Sequence, residues 1–295
     1  MEGVPVDVPP RPHFTVPLAH GLSLELGPRT LVMGILNVTP DSFAGGVTDP
    51  DVAADLALRL EADGADIVDI GGESTRPGAE PVAEAEELAR VIPVIERLRG
   101  RLAVPVSIDT YKAAVAMAAV ASGASIVNDI SGLGYDPLLG GVVAGTGAGL
   151  VLMHTRGRSR EMYREAGYGD VVAEVSAELQ QALERADAAG VPRAQVVLDP
   201  GIGFAKRADE SRAVLANLAG LARLGRPVLV GPSRKSFLVE GQAPQPPAER
   251  DFGTAAAVTV AVMGGAHIVR VHNVAAMARV VRVADALRAA VRAQR

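Results

Sequence analysis

The chain has 295 residues, 48% of them hydrophobic, and a formal net charge of −5 at pH 7. That much apolar material is enough for a complete core, and the absence of a basic block argues against general binding to nucleic acid or to anionic membranes. The chain contains no cysteine, which excludes disulfide bonds, thiolate nucleophiles and Cys-ligated zinc. With no signal-peptide pattern at the N-terminus and no apolar run of membrane-spanning length, the sequence predicts a cytoplasmic protein.

The start of the chain differs in pattern from the remainder. Residues 1–13 are rich in proline and lack periodicity, which predicts an irregular arm. Residues 14–26 alternate between apolar and polar side chains, which predicts a short β-hairpin. From residue 30 onward an apolar strand, a polar loop and an amphipathic helix recur. We therefore predict an arm with a hairpin over residues 1–28 and one (β/α)8 barrel domain over residues 29–295.

Eight strands and the helices between them predict the fold. The predicted strands are Leu31–Leu36, Asp66–Ile70, Val104–Ile108, Ser125–Val127, Gly149–Met153, Gln195–Leu198, Pro227–Val230 and His267–Val271. The clearest predicted helices are Asp51–Asp63, Val82–Arg99, Val171–Ala189 and Val274–Ala293. This alternation indicates a parallel sheet, because parallel neighbours need long crossovers. Eight units in roughly 250 residues favour a (β/α)8 TIM barrel over an open doubly wound sheet, and no Gly-x-Gly-x-x-Gly follows the first strand.

The segment Pro227–Phe237 has the most informative sequence. An apolar run of strand length ends in a Gly-Pro pair and continues as Ser-Arg-Lys, which indicates a buried strand followed by a cationic loop. Only three of the 29 basic residues are lysine, so lysine is expected where a compact, mobile ammonium group is needed. We therefore predict that Lys235 belongs to the functional site. The other two, Lys112 and Lys206, are expected to matter less because no ligand contact is assigned to them.

Polar residues follow the predicted strands, at the end of the barrel where the active sites of such barrels lie. Asp109, Asn128 and Asp199 come from three different strands, and their acceptor and amide groups suit a polar heterocycle with N–H and amino donors. Lys235 can reach a ring carbonyl from the loop after the seventh strand. The alternative for each Asp or Asn is a helix cap, a role that both residue types favour.

A phosphate site is predicted at the last strand. Arg270 and His272 are separated by one residue and so share a face, and the loops after the last two strands of such barrels commonly hold phosphate. Asn37, after the first strand, is predicted to be an oxygen ligand of Mg²⁺ on that phosphate. His154 is expected to be a hydrogen-bonded wall residue rather than a general base. No zinc-protease or serine-nucleophile motif occurs, which argues against protein-held zinc and acyl-enzyme chemistry.

The motifs at all eight strand ends resemble one family, dihydropteroate synthase of folate biosynthesis. The matching segments are Gly34–Phe43, Asp69–Gly78, Ser107–Thr110, Asn128–Gly132, Leu152–His154, Asp199–Gly201, Ser233–Lys235 and Arg270–His272. The resemblance covers nearly the whole chain except the N-terminal arm. It implies a transferase that uses Mg²⁺ and condenses 6-hydroxymethyl-7,8-dihydropterin pyrophosphate with p-aminobenzoate to give 7,8-dihydropteroate and pyrophosphate.

The resemblance also implies roles for particular residues. The implied pterin site consists of Asp109, Asn128, Met153, Asp199 and Lys235. The implied pyrophosphate site consists of Asn37, acting through Mg²⁺, Arg270 and His272. The implied p-aminobenzoate site consists of Thr75, Arg76, Pro77, Phe204, Ser233 and Lys235. The implied catalytic residues are Asp109, Asp199, Lys235, Arg270 and His272. A helix that begins at Ser233 is expected to offer free N–H groups to the benzoate carboxylate.

The chain departs from the family pattern in its first loop. This loop reads Ala44-Gly45-Gly46, one residue shorter than the family's and without its Asp. In the loop after the sixth strand, Ile202 replaces Phe, a change that touches no predicted polar contact. Two alternatives stay open: a pterin-binding methyltransferase that acts with a corrinoid protein, and a non-catalytic pterin-binding paralogue. The retained phosphate and benzoate residues argue against the first, whereas the shortened loop keeps the second open.

The segment Phe252–Met263 predicts a helix that is apolar on nearly all sides. An outer helix of a barrel normally has a face in contact with water, so a second copy of the chain is predicted to cover this helix in a homodimer. Cover by neighbouring helices of the same chain is the alternative.

Overall fold

A short antiparallel hairpin lies near the start of the chain, in agreement with the alternating pattern of the sequence. In this computed structural model, β1 (Phe14–Pro17) pairs with β2 (Ser23–Leu26). The structure describes residues 8–40, 47–75, 78–164, 166–239 and 245–293. The shortened first loop, Ala44–Gly46, lies outside these ranges.

Eight parallel strands form the barrel. They are β3 (Leu31–Asn37), β4 (Ile67–Gly71), β5 (Val106–Asp109), β6 (Ile126–Asp129), β7 (Gly149–Met153), β8 (Val196–Asp199), β9 (Leu229–Val230) and β10 (Ile268–Val271). The hydrogen-bonded order β8-β7-β6-β5-β4-β3-β10-β9 follows the chain around the sheet. A parallel bridge from Leu198 to Val228 joins its two edges. The predicted (β/α)8 TIM barrel is therefore confirmed.

Helices alternate with these strands and form the outer layer. Within the described ranges they are α1 (Pro50–Ala62), α2 (Glu84–Leu98), α3 (Ala113–Ser122), α4 (Leu139–Thr146), α5 (Val171–Ala188), α6 (Ala208–Ala216), α7 (Asp251–Met263) and α8 (Val274–Ala293). The main difference from the predicted boundaries is at the carboxyl ends of the strands. Several strands continue onto a polar residue that the sequence places in the loop, such as Asn37, Asp109 and Asp199. Strand register therefore fixes the position of these side chains.

The hairpin closes the amino-terminal end of the barrel. Its apolar side chains Val16, Leu18, Leu24 and Leu26 pack against the lowest layer of strand residues, Leu31, Met33, Ile67, Ile126, Val151, Val197, Leu229 and Ile268. Gly149 allows this close approach, because a Cβ atom there would lie 2.5 Å from Leu18 Cδ2. With this end closed, the polar residues at the carboxyl ends of the strands line the open end.

The described part of the arm is bound to the same closed end. The Arg11 side chain is buried and donates to the Gly27 carbonyl at 2.9 Å and to Asp285 Oδ1 at 3.0 Å. Nearby, the His267 ring lies between two backbone groups, with Nδ1 3.1 Å from the amide nitrogen of Val228 and Nε2 3.0 Å from the carbonyl oxygen of Pro12. These contacts attach the arm to β10 and α8. Among the described residues, no helix is long and apolar enough to cross a membrane.

The stability of the fold is predicted to fall at acid pH because His267 is buried in its neutral form. Burial, together with the charges of Arg11 and Arg288, lowers the pKa of His267 from 6.5 to about 4. Between these pH values the unfolded chain binds a proton that the folded chain does not bind. The contribution of His267 to the free energy of unfolding is therefore fully present above pH 6.5. It is lost as the pH falls toward the folded-state pKa.

Urea unfolding of the wild type and of His267→Gln, between about pH 8 and about pH 4, measures this effect. Glutamine keeps hydrogen-bonding groups but does not titrate. We expect the unfolding free energy of the variant to fall less steeply with decreasing pH. Parallel pH profiles for the two proteins would show that His267 does not carry this dependence.

Candidate active site

A buried ionic cluster lies at the open end of the barrel. Arg270, on β10, donates from Nε to Asp69 Oδ2 at 2.6 Å and from Nη2 to Asp109 Oδ2 at 2.7 Å. Asn128 donates from Nδ2 to the same Asp69 oxygen at 3.0 Å. Asp69 is fully buried. Because an unpaired buried carboxylate is very costly, the guanidinium group is what allows two acids to occupy this position.

The cluster retains unused hydrogen-bonding capacity. Burial raises the pKa of Asp109 to about 7, although the Arg270 charge opposes this shift. The Oδ1 atoms of Asp69 and Asp109 are buried and have no hydrogen-bond partner within the described structure. Such acceptors favour a ligand that brings N–H donors, since buried polar groups are nearly always paired.

Asp199 and Lys235 form the second charged part of the site. Asp199 ends β8 and accepts from the Gly201 amide at 2.7 Å. Burial raises the pKa of Asp199, and the charge of Lys235 opposes the shift. The Lys235 ammonium group donates to the Ile202 carbonyl and lies 4.2 Å from the centroid of the Phe204 ring. Burial lowers the pKa of Lys235 to about 7.

Ser233 and His272 are in direct contact. The Ser233 hydroxyl oxygen accepts from the His272 amide at 3.2 Å and lies 3.0 Å from His272 Nδ1. Ser233 is buried, whereas His272 is partly exposed. The family resemblance implies different substrates for these two residues, whereas their side chains are in direct contact.

The expected helix at Ser233 is wrong. The chain forms only a short 3₁₀ turn, Ser236–Leu238, and the next α-helix is α7. Arg234 explains the difference, because its φ of 60° is left-handed and incompatible with an α-helix. Asp251 fixes that conformation by accepting from Arg234 Nε at 2.9 Å and from Nη2 at 3.2 Å. The Ser233 side chain, rather than a helix terminus, is therefore the polar group at this position.

Two other residues of the predicted sites, Met153 and Thr75, lie at or just after the carboxyl ends of strands. Met153 ends β7 and packs with Tyr111 and Ile130 in a small apolar cluster that Phe204 contacts. Thr75 follows β4, and its carbonyl oxygen lies 3.4 Å from the Ser159 hydroxyl oxygen. The predicted residues Arg76 and Pro77 lie outside the described ranges.

The helix-cap alternative does not explain the acidic strand ends. Asp109 bonds to Arg270 and Asn128 bonds to Asp69, whereas the amide of Ala113 at the start of α3 donates to Asp136. Asp199 caps only the turn at Gly201. None of the three therefore caps the helix that follows it, and Asp109 and Asn128 both join the cluster around Arg270 and Asp69.

Sequence reasoning overlooked Asp69 as a site residue. It lies inside an apolar strand segment, Ile67–Gly71, whose residues are all buried. A carboxylate in such a segment needs a cation or several donors, and this requirement is the signal that identifies it. Its partner, Arg270, is 201 residues away in the chain, so the pairing depends on barrel closure.

Lys112 makes structural contacts that the sequence does not reveal. Its ammonium group donates to Glu73 Oε2 at 2.6 Å, to Glu87 Oε2 and to the Val82 carbonyl at 2.7 Å. Tyr111 donates its hydroxyl proton to the other Glu73 oxygen at 2.7 Å. Lys112 therefore joins the loop after β4 to the loop after β5, although it has no assigned ligand contact.

A metal ion at the open end of the barrel would need ligands from outside the protein. No group of three or more His, Asp or Glu side chains able to hold a metal occurs in the described ranges. Mg²⁺ does not need such a group when phosphate oxygens and water complete its shell. A Cβ atom on Gly71 would lie 3.9 Å from Asn37 Oδ1 and 3.7 Å from Asp109 Oδ2. These two oxygens therefore lie beside the same space, and Asn37 would be the protein ligand of a Mg²⁺ ion there because Asp109 Oδ2 already accepts from Arg270.

Comparison with known proteins first defines the class. Residues 33–272 match the family described as pterin binding enzyme. The match includes every barrel strand that contributes to the ionic cluster. The fold and the site therefore define a pterin-binding barrel enzyme.

Within that class, the chain belongs to the dihydropteroate synthase family. It is 48% identical over 278 residues to dihydropteroate synthase of Synechocystis sp., covering 93% of this chain and 96% of that protein. The Yersinia pestis dihydropteroate synthase, solved as a complex with a sulfonamide drug, matches with a TM-score of 0.87 and 41% identity over 94% of this chain and 100% of that one. The Burkholderia cenocepacia enzyme complexed with 7,8-dihydropteroate matches with a TM-score of 0.85 and 44% identity over 98% and 100%.

Arg270→Met is predicted to destabilise the fold, because it leaves two carboxyl groups buried without a cation. Removing one side of a buried ion pair typically costs about 3–5 kcal/mol. Without Arg270, the pKa of Asp109 rises further above its unfolded value, so the folded chain takes up a proton. The variant is therefore expected to lose stability as the pH rises.

Denaturant unfolding at about pH 5 and about pH 8 tests this prediction. The double variant Asp109→Asn/Arg270→Met is the matched control, since it also removes one carboxylate. We expect it to be more stable than Arg270→Met at the higher pH. Equal stability of the two variants there would show that the buried Asp109 carboxyl group is not what destabilises Arg270→Met.

Proposed function

We propose that the chain catalyses the condensation of 6-hydroxymethyl-7,8-dihydropterin pyrophosphate with p-aminobenzoate, which yields 7,8-dihydropteroate and pyrophosphate. The observation that carries this proposal is the buried cluster of Asp69, Asp109, Asn128 and Arg270 at the open end of a dihydropteroate synthase barrel. It offers both acceptors and donors in a buried space, as a pterin ring requires. The related Burkholderia enzyme was solved with 7,8-dihydropteroate, which supports the same product here.

The pterin ring is proposed to bind above the cluster. Its N–H and amino groups face the carboxylates of Asp109 and Asp199, and Asn128 meets a mixed donor and acceptor edge. Lys235 donates to the ring carbonyl, and Met153 packs on the ring face. The unpaired Oδ1 atom of Asp109 supports this arrangement.

The pyrophosphate is proposed to bind near Arg270, His272 and Asn37. A guanidinium group has five N–H donors, and the contacts of Arg270 Nε and Nη2 with the two aspartates leave donors for an anion. Asn37 supplies the protein oxygen of the Mg²⁺ site. Bound Mg²⁺ neutralises charge on the pyrophosphate oxygens.

The p-aminobenzoate is proposed to bind between the loops after β4, β8 and β9. Phe204 supplies an apolar face, and the Lys235 ammonium group above this ring attracts the carboxylate. The Ser233 hydroxyl group is the second donor to that carboxylate. Thr75, Arg76 and Pro77 complete this side of the site.

The reaction is proposed to proceed without a covalent nucleophile. The bond between the pterin methylene carbon and the pyrophosphate oxygen breaks first, and Arg270 and His272 stabilise the departing anion. The methylene group is then cationic, and the carboxylates of Asp109 and Asp199 stabilise it. The amine nitrogen of p-aminobenzoate attacks this carbon and afterwards loses a proton. The main catalytic effect is therefore electrostatic.

Pyrophosphate release from the two substrates in the presence of Mg²⁺ tests the proposed function. We expect continued release over many turnovers to require both substrates and the metal, because a turnover is completed only when the amine attacks. We also expect a sulfonamide to inhibit competitively with p-aminobenzoate because it presents the same aniline. Pterin binding without release would support the non-catalytic alternative. Methyl transfer to a corrinoid protein without release would support the methyltransferase alternative. Noncompetitive inhibition would place p-aminobenzoate elsewhere.

Lys235→Arg is predicted to impair catalysis although it keeps the charge. A Cβ atom on Gly203 would lie only 2.7 Å from Lys235 Cδ, so the lysine stem is closely packed. A planar guanidinium group is wider and has fixed donor directions. We expect kcat/KM to fall by at least about tenfold, equivalent to about 1.4 kcal/mol of transition-state stabilisation.

Steady-state kinetics of Lys235→Arg and Lys235→Met provide the measurement. The Met variant removes the charge, so its fall in kcat/KM measures the effect of losing the charge. We expect the Arg variant to resemble the Met variant more than the wild type. Near wild-type activity of Lys235→Arg would show that an ammonium group is not required at this position.

A homodimer is predicted from an exposed apolar stripe on α7 and α8. Phe252, Ala256 and Val260 are spaced four residues apart on α7, and all three are exposed, Phe252 to 91%. Val283 and Leu287 are exposed on α8, which packs beside α7. Neighbouring helices therefore do not cover this stripe, and a second copy is the proposed partner.

Sedimentation at micromolar concentration measures the oligomeric state. We expect a dimeric mass for the wild type and a shift toward monomer for Val260→Lys. Met117→Lys is the matched control, because Met117 is an exposed apolar residue on α3. A monomeric wild type would refute the dimer.

A further inference from the structure

Lys206 is a buried lysine. It has no role in the proposed substrate sites or in the hydrophobic core. It lies in the loop between β8 and α6 and is only 2% exposed. Its ammonium nitrogen lies 2.8 Å from His154 Nδ1, 3.1 Å from the Gly201 carbonyl oxygen and 3.1 Å from the Phe204 carbonyl oxygen. A buried ammonium group with three acceptors is an organised arrangement, because an ammonium group has three N–H donors.

The partner of His154 Nε2 determines which ring nitrogen donates and which accepts. His154 Nε2 lies 2.9 Å from Glu178 Oε2, on α5. The hydrogen bond from His154 lowers the pKa of Glu178 to about 2, so this carboxylate is ionised and can only accept. Nε2 must therefore carry the proton of the imidazole, and Nδ1 must accept from Lys206. Burial and the Lys206 charge lower the pKa of His154 to about 4, which keeps the ring neutral.

The two carbonyl groups held by Lys206 belong to a turn with unfavourable backbone geometry. Gly201 and Gly203 have φ values of 64° and 78°, and Ala205 has a φ of 47°. A left-handed conformation at a residue with a side chain is costly, so surrounding contacts must maintain it. A Cβ atom on Gly201 would lie 1.9 Å from the His154 carbonyl oxygen. The turn is therefore packed directly against the residue that orients Lys206.

The same turn forms one side of the active site. Its Ile202 carbonyl group accepts from Lys235, and its Phe204 ring lies below the Lys235 ammonium group. The carbonyl groups of this turn thus accept hydrogen bonds from two lysines, Lys206 on the buried side and Lys235 on the open side. Because Lys206 binds the Phe204 carbonyl group, loss of that contact is expected to displace the Phe204 ring relative to Lys235.

We propose that Lys206, oriented by His154 and Glu178, is a positioning residue that holds the 200–205 turn so that Phe204 and Lys235 can bind p-aminobenzoate. This inference rests on the proposed function for the identity of the substrate. Asp109, Asn128 and Asp199 lie on strands and are held by strand register. The pterin side therefore keeps these three contacts when the turn moves, whereas Phe204 belongs to the turn itself. Loss of Lys206 is therefore predicted to weaken the binding of p-aminobenzoate more than the binding of the pterin substrate.

Lys206→Met tests the proposal because it keeps the length of the side chain and removes its three donors. Hydrogen exchange of the 199–207 segment is expected to become faster than in the wild type. KM for p-aminobenzoate is expected to rise by about tenfold or more, and the dissociation constant of the pterin substrate to change by less than about threefold. Arg207→Met is the matched control, because it removes an exposed cation next to Lys206 and should leave all three quantities unchanged.

Two variants of His154 keep the proposal testable if Lys206→Met does not fold. His154→Asn retains an acceptor near the Nδ1 position, whereas His154→Leu does not, so only the Leu variant should show the selective rise in KM. Unchanged exchange in Lys206→Met, or faster exchange with equal losses for both substrates, would overturn the positioning role. Absence of pyrophosphate release by the wild type would refute the proposed function instead, and hydrogen exchange would still report on the turn.

Discussion

The arrangement of the active site depends on one interaction, the pairing of Arg270 with Asp69 and Asp109. Two carboxylates on adjacent strands cannot remain ionised in a buried space without a cation. Arg270 reaches both from β10, and Asn128 adds a donor from β6. These four residues come from four strands, so the cluster forms only when the barrel closes. Fold and site are consequently linked by the same electrostatic requirement.

The three lysines show how the remaining loops are held. In a chain whose other basic residues are all arginine, each lysine donates to acceptors on loops at the open end. Lys112 joins two loops through Glu73 and Glu87, Lys206 holds the turn after β8, and Lys235 faces the same turn from the open side. An ammonium group can direct its donors at acceptors that do not lie in one plane, unlike a guanidinium group. This difference explains why arginine does not replace lysine at these positions.

Much of the fold and part of the site follow from the sequence. Alternating apolar strands and amphipathic helices predict the barrel, and polar residues at the strand ends predict its open face. The ion pair between Asp69 and Arg270 was not predictable, because it joins residues far apart whose approach depends on closure. The helix expected at Ser233 failed because Arg234 adopts a left-handed conformation fixed by a distant aspartate. Local propensity contains no information about such tertiary partners.

The most direct test of the account is a crystal structure of the chain with 7,8-dihydropteroate. The account predicts that the pterin ring contacts Asp109, Asn128 and Asp199. It also predicts that the aminobenzoate ring lies beside Phe204 and that Arg270 remains paired with Asp69. A pterin ring bound away from these side chains, or Arg270 displaced from both aspartates, would contradict it.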